Sequence, residues 1–494
     1  MNGASLLDVG HDVLGTIFKL LTVEDRCKLG ATCRQCMEIF LSPHIWDTID
    51  LRSPHGHQIG CKQLESYCHL GEGRLQTLIV QHAVACSVLE NILGDSEVVA
   101  NLRHVNLCAT PLPSFVFSHH AQVQRPSLVN IEMDLLSRLP HLTTLEVNAD
   151  ALLGVSDVVE MPRLQRLCIW SRGTRSFEFS CNHLRELELH FAEHVPSGLL
   201  RLIAAHASTL ESVVVTGGRG AADIQSAIDA AEQFPRLHTI VATADREIAL
   251  NNVLRNAPEL HTCIADGRVT RALPPRIHTL GGRLAGPLAP SAARTIKGLK
   301  LLNSSITCLE GMTNITSFEY KSNPAGCRSD VDSGISFVSF CLPYCKRLQE
   351  LSVTFTSRKD NLDITPIITA CADTLRSLHV GKGTCASLSD QRLRHLTHLS
   401  VEGVITDASE GCTPVVERVV MKTAFKDATT LSYVLFASTQ VQHLTLLLGR
   451  ATAEQVDVVA AALKQWPLLK AVRLSASLES LSVLETIHKL GLVV

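Results

Sequence analysis

Four groupings in this chain carry residue types that can do chemistry. Cys33-Arg34-Gln35-Cys36 has the two-residue spacing of a redox couple. It falls in a segment that reads as helix, without the strand-to-helix entry that activates a thiolate, so core packing is the expectation. His55, His57, Cys61, Cys68 and His69 offer imidazole and thiol ligands, but at a spacing that matches no standard zinc finger. Gly217-Gly218-Arg219-Gly220 precedes a helical stretch and lacks the Lys-Ser/Thr that completes a phosphate loop, so it reads as a turn. His119-His120 and the other histidines have no Ser or Asp at motif spacing. None of these sets predicts a catalytic group, a metal or a cofactor, and the chain reads as a non-enzyme.

Composition narrows the classes further. The chain has 494 residues, a net charge of −3, 46% hydrophobic and 19% charged residues, which describes a folded chain with little disorder. Charges of both signs are mixed along the chain without a basic stripe, which argues against nucleic acid as a partner. The start reaches its apolar residues through Asp8 and Asp12, unlike a secretory signal, and no run approaches the roughly twenty apolar residues of a membrane span. Seventeen cysteines without framework spacing read as free thiols of a reducing compartment, cytosol or nucleus.

The elements come in two kinds. Near the start, Val13, Leu14, Ile17, Phe18 and Leu21 recur at three- and four-residue steps, which predicts a helix with one buried side. Thr22 caps a second helix with Asp25 three residues on, and a third segment, 32–41, stops at Ser42-Pro43. Ile45-Trp46 follows. From residue 142 onward, Leu-x-x-Leu-x-Leu/Val/Ile recurs as Leu142-Leu145-Val147, Leu164-Leu167-Ile169, Leu184-Leu187-Leu189 and Leu210-Val213-Val215, in steps of 20 to 27 residues through Leu260. It returns from Leu348 to Leu474. That period is the one of leucine-rich repeats, whose units cannot bury their own apolar face and must stack. Helical stretches such as Leu199-Ile203, Ile224-Ala231 and Val456-Leu463 precede strands, which predicts an α/β horseshoe solenoid of irregular curvature, parallel sheet inside and helices outside. Residues 272–320 read as helix-poor solenoid or as a hinge, 321–334 as a polar loop and 476–494 as a C-terminal cap.

Residues flanking the buried leucines point to the opposite, concave face. There stand Thr144, Glu146 and Asn148, then Arg166, Cys168 and Trp170, then Glu186, Glu188 and His190. Arg166, Trp170, Glu186, Glu188 and His190 are the candidate substrate contacts. Trp170 serves either as a binding anchor or as packing against a neighbouring loop, and Arg166 near His190 would suit an acidic or phosphorylated motif.

Residues 1–50 resemble the F-box, on Asp12-Val13-Leu14, Ile17-Phe18, Leu21, Asp25, Cys33-Arg34 and Ile45-Trp46. They depart from it at Val9-Gly10, where the motif opens Leu-Pro, and at Cys36, where an aromatic is usual, so the third helix should pack less tightly. With repeats over residues 51–494, the chain is similar to the F-box/leucine-rich-repeat family, the substrate receptors of SCF-type ubiquitin ligases. The resemblance implies that Leu14, Ile17, Phe18, Leu21, Cys33, Ile45 and Trp46 dock a Skp-family adaptor and, through it, a cullin-RING ligase. The repeats would then hold a protein substrate. The alternatives are a helical end cap for the repeats and a repeat scaffold with no ubiquitin role.

Overall fold

A computed structural model describes residues 10–51, 61–80, 86–107, 131–132, 139, 141–148, 152–153, 158–171, 178–244, 248, 250–265, 276–282, 290–302, 312–322, 341–355, 361–388, 393–407, 416–422, 431–432, 435, 440–447, 452–474 and 483. The chain is α/β and forms two compact units, Met1–Leu260 and His261–Val494.

The first unit opens with α1 (His11–Leu20), α2 (Val23–Gly30), α3 (Arg34–Phe40) and a 3-10 turn, Pro43–Ile45. Thr22 Oγ1 accepts the Asp25 backbone N–H at 3.2 Å and donates to its carboxylate at 2.8 Å, so the expected cap forms. Cys33 lies outside the third helix and caps it, its sulfur accepting the Cys36 N–H at 3.4 Å. The segment therefore starts two residues later than its pattern suggests. Cys36 and Ile39 are buried, so the missing aromatic leaves α3 seated on its neighbours.

Trp46 closes this module. Its ring stacks on Tyr67 of α4 (Cys61–Leu70) at 4.8 Å, meets Phe40 edge-on at 5.2 Å, and its N–H donates to Phe40 O at 2.7 Å. Arg26 lies against the same indole, its guanidinium carbon 5.6 Å from the ring centroid. That guanidinium is buried and donates to five carbonyls, those of Phe18, Leu21, Lys19, Ile45 and Thr48, at 2.8–3.1 Å. Burial lowers its pKa from the ordinary arginine value.

The sequence places one apolar side on α1, and the structure finds two. Leu14 and Phe18 are fully buried, and so are Ile45 and Trp46, which removes these four from the expected adaptor contacts. Val13 and Leu20 face solvent instead, with Ile17 and Leu21 half-buried between the two stripes and Cys33 half-buried at its cap. The module's own core consumes the stripe that α2, α3 and Trp46 can reach.

Beside short separate ladders, Ile131–Glu132 with Leu152–Leu153 and Val158–Glu160 with Glu178–Ser180, the strands of the main sheet follow one per repeat, each parallel to the one before. In the first unit they are β1 (Thr48–Asp50), β2 (Thr77–Ile79), β3 (His104–Leu107), β4 (Thr144–Asn148), β5 (Arg166–Ser171), β6 (Glu186–His194), β7 (Ser212–Arg219) and β8 (Thr239–Thr243). Each pairs with its neighbour in phase, so Leu145, Leu167, Leu187, Val213 and Ile240 form one buried row. Helices α5 (Cys86–Gly94), α6 (Ser197–Ala205), α7 (Ala221–Asp229) and α8 (Asn251–Asn256) lie between strands, α6 burying the expected Leu199, Leu200, Leu202 and Ile203. The glycine run corrects one expectation. Gly217, Gly218 and Arg219 continue β7, and only Gly220, at φ +95°, turns the chain into α7.

The second unit repeats the scheme with Thr262–Ala265, Thr279–Gly282, Gly298–Leu302, Ser317–Ser322, Glu350–Phe355, Ser377–Val380, His398–Val401, Arg418–Met421, His443–Leu446 and Ala471–Leu474. Strand order is again chain order. Thus the Pro/Gly-rich stretch keeps its strands, with one short helix, Pro290–Thr295, among them. Gly282 sits at φ +120°, where a Cβ would fall 1.5 Å from Ala265 O, so no other residue fits this close pair of strands. Lys321 and Ser322 belong to a strand, while the rest of 321–334 and all of 476–494 but Val483 lie outside the described residues.

Arg26 ties the module to the sheet. Asp47 O and the Leu51 N–H face β2, so Thr48 points the other way, along the opposite edge of β1, and its carbonyl is taken by Arg26. Arg26→Lys keeps the charge but offers one point instead of a planar fork, and leaves buried carbonyls without donors. It is expected to cost about 2–3 kcal/mol, read as a lower urea midpoint at an unchanged slope.

Candidate functional site

Alternation along each strand, combined with in-phase pairing, sets residues from different repeats side by side at the strand spacing of about 4.8 Å. Two polar rows result in the first unit. One carries Asn106, Glu146, Cys168 and Glu188, and the next, toward the strand ends, Asn148, Trp170, His190 and Thr216. Arg166 and Glu186 pair just before them. The five expected substrate contacts are therefore brought together on β5 and β6, and Glu146, Asn106, Cys168 and Thr216 join them.

Arg166 is the hub. Its Nη2 donates to Glu188 Oε1 at 2.9 Å and lies 3.8 Å from Glu146 Oε1, while its Nε is 3.4 Å from Glu186 Oε2. Asn106 in turn donates to the other Glu146 oxygen. Burial would lower the guanidinium pKa, but Glu188, Glu146 and Glu186 raise it above the ordinary value. The neighbouring His190 ring first, and Arg166 with it, hold the Glu188 carboxyl below the usual carboxylate range against its burial. Three carboxylates around one cation leave the cluster negative, so the expectation of an acidic or phosphorylated ligand at Arg166 is overturned.

Trp170 is half-buried, and its partner is a strand neighbour instead of a loop. The indole stacks on His190 with centroids 3.8 Å apart and planes 15° from parallel, and its N–H donates to Cys168 Sγ at 3.1 Å. Cys168 itself is 2% exposed, so this residue of the polar row is covered by its neighbours. His190 Nδ1 meets Thr216 Oγ1 at 2.9 Å. Its Nε2 is buried, 3.7 Å from Glu188 Oε2 and without a hydrogen-bond partner among the described residues.

Among the described residues the looser histidine and cysteine set does not come together, while Cys33 and Cys36 meet at the start of α3. Cys68 is fully buried in α4 and His69 lies 3.8 Å from Asp95, while His55, His57, His119 and His120 lie outside the described residues. Burial pushes the thiols of Cys68, Cys263, Cys345 and Cys371 up to about 12, which keeps them protonated and inert as core filling. The second unit has its own polar group. Glu319 takes Lys321 at 2.6 Å and Lys300 at 3.4 Å, Glu402 takes Lys422 at 3.2 Å, and His379 Nδ1 meets Ser400 Oγ at 2.9 Å. Burial lowers the His379 pKa, and Glu319, which burial alone would raise, is held low by its two lysines. Among the described residues no helix is long and apolar enough to cross a membrane.

The depressed Glu188 carboxyl fixes a pH dependence. Its folded pKa lies below its unfolded value of about 4.3, so its contribution is complete above that pH and is lost as pH falls through the folded value. Glu188→Gln is expected to flatten the fall in urea midpoint below about pH 4.5 while leaving other acid-sensitive steps in place. No known protein-family model matches this chain and no curated protein matches it in sequence.

Proposed function

We propose that the chain is the substrate-recognition subunit of an SCF-type cullin-RING ubiquitin ligase, a non-catalytic receptor. In this reading the N-terminal module docks a Skp-family adaptor and the polar strand faces hold a protein for ubiquitin transfer. What carries it is where apolar surface is left over. Among the described residues the exposed large hydrophobics are Val13 (52%), Leu20 (82%), Met37 (40%), Leu41 (52%) and Leu468 (45%), so four of the five lie on one short helical module. Such a concentration on a well-packed surface marks an interaction site. Val13, Ile17 and Leu20 are four and three residues apart and share a face of α1, the pattern of a helix that lies against an apolar groove.

The docking residues in this proposal are Val13, Ile17, Leu20 and Leu21, with Met37 and Leu41, and Cys33 stands beside α3. Leu14, Phe18, Ile45 and Trp46 shape the module from within. The substrate would meet the strand face of the first unit through Glu186, Glu188 and Trp170, where a net negative cluster favours a basic segment over an acidic one.

A second reading rests on Arg26. Since this residue binds the module to the edge strand β1, the same three helices serve as an end cap for a repeat array, which needs one in any case. The chain would then be a repeat scaffold with no ubiquitin role. The two readings part on one experiment. Val13→Asp with Leu20→Asp is expected to leave the unfolding transition in place and to lower adaptor co-purification more than tenfold, since each buried side chain of this size contributes on the order of 1.5–3 kcal/mol. Retention of the adaptor at the wild-type level would exclude the receptor reading. Phe18→Ala, by contrast, is expected to cost about 3–5 kcal/mol of stability.

A further inference from the structure

Among the described residues one group of side chains has the ligand types and separations of a metal site: Cys168, Glu188 and His190, whose donor atoms all lie within 4.8 Å of one another. We propose that these three form a binding site for a divalent transition metal of borderline softness, zinc foremost, with the fourth position open to water or to a donor group of a bound protein. The proposal stands on the site alone and holds whichever reading of the N-terminal module is correct.

Geometry supports it first. Zinc bonds of about 2.0–2.3 Å at tetrahedral angles set ligand atoms about 3.4–3.6 Å apart. Glu188 Oε2 is 3.7 Å from His190 Nε2 and 3.8 Å from Cys168 Sγ, so a contraction of a few tenths of an ångström closes two of the three edges, and the third, between Cys168 and His190, lies within 4.8 Å. Strands fix these positions, because Cys168 and Glu188 are register partners on β5 and β6 and His190 follows two residues on.

The surroundings prepare each donor. Thr216 Oγ1 occupies His190 Nδ1, so when that nitrogen carries the proton, Nε2 has its lone pair directed at the other two ligands. Among the described residues none hydrogen-bonds to Nε2, although the atom is buried, and Glu188 Oε2 stands 3.7 Å away. A buried acceptor without a partner is costly, and a metal satisfies it. Arg166 holds Glu188 by Oε1, which leaves Oε2 to the site. The Trp170 N–H on Cys168 Sγ stabilises a thiolate, and the indole stacked on His190 fixes the ring. Binding releases the Cys168 proton to solvent and changes no oxidation state. Charge is in order as well: Glu146, Glu186 and Glu188 outweigh Arg166, so a dication enters a negative field. Glu188 and His190 keep 24% and 15% of their side-chain exposure, which leaves an approach for the metal and its fourth ligand.

Sequence spacing conceals this site. Its ligands stand at 168, 188 and 190, twenty and two residues apart, across a repeat boundary that no linear metal motif spans. Three ligands from sheet strands with an open fourth position is also the layout of sites that activate water, as opposed to closed structural sites.

Full-length protein stripped with chelator and titrated with Co2+ tests the proposal. The wild type is expected to take up about one Co2+ per chain with a thiolate-to-metal absorption band in the near ultraviolet, which Zn2+ then removes. Cys168→Ser should abolish the band. His190→Gln should weaken binding more than tenfold, and Thr216→Val about tenfold or more through the imidazole it orients. Cys385→Ser, a half-exposed thiol in the other unit, should leave the band unchanged. Absence of a band in wild type, a band that survives Cys168→Ser, or unaltered affinity in His190→Gln overturns the proposal. Circular dichroism and the urea midpoint confirm that each variant is folded.

Discussion

One constraint governs this protein: a repeat of twenty-odd residues contributes a single strand to the main sheet and cannot bury that strand's apolar face alone. Stacking in phase solves the problem by aligning leucine on leucine, as from Leu145 through Leu167 and Leu187 to Val213. The same alignment acts on the other face with no hydrophobic reason to do so. Whatever the repeats carry between their leucines is forced into rows at the strand spacing, and a functional surface is composed by choosing residues on adjacent repeats.

Parallel stacking leaves an edge at β1, and the N-terminal module answers it. A single guanidinium accepts the geometry of five carbonyls drawn from α1, the turn before α2, the end of the 3-10 turn and the edge strand. Buried arginine is expensive unless every donor direction finds an acceptor, and here the planar fork meets carbonyls from four pieces of chain. The module is therefore rigidly placed on the sheet, and its outward stripe, Val13 to Leu20, is held in a fixed direction.

Much of this was legible in the sequence, and what was not has physical causes. Strands declared themselves because two apolar residues at i and i+2 after a leucine at i−3 fit only a strand entering a buried sheet, as at Leu164-Leu167-Ile169. Helices α6, α7 and Ala453–Gln465 were equally plain, the last with its Thr452–Gln455 capping box. On α1 the pattern was ambiguous, since Val13-Leu14 and Ile17-Phe18 are adjacent apolar pairs and periodicity does not say which member faces in. Packing decides that, through Trp46 and Arg26. The glycine run at 217–220 misled for a similar reason: glycine permits a turn, but the long pairing of β6 with β7 holds it extended as far as Arg219. The five contacts predicted on β5 and β6 do meet, because in-phase alignment of leucines fixes the residues between them. Their charges were in the sequence as well, Glu146, Glu186 and Glu188 beside Arg166, but how closely the three carboxylates approach one guanidinium depends on side-chain conformations that a repeat pattern does not carry.

A buried polar row invites a bland explanation, in which carboxylates and arginine merely satisfy one another inside the fold. The ladder itself argues against it. The row that holds Asn106, Glu146, Cys168 and Glu188 continues onto β7 and β8 as Val214 and Val241, both buried. At this register the sheet thus accepts plain valine, and replacing a buried ion network by apolar residues is often neutral or stabilising. The four preceding strands nevertheless keep a network with a buried imidazole nitrogen left unsatisfied. Stability alone gives no reason for that choice, whereas a ligand that engages the orphan nitrogen, the thiol and the carboxylate oxygen between them does.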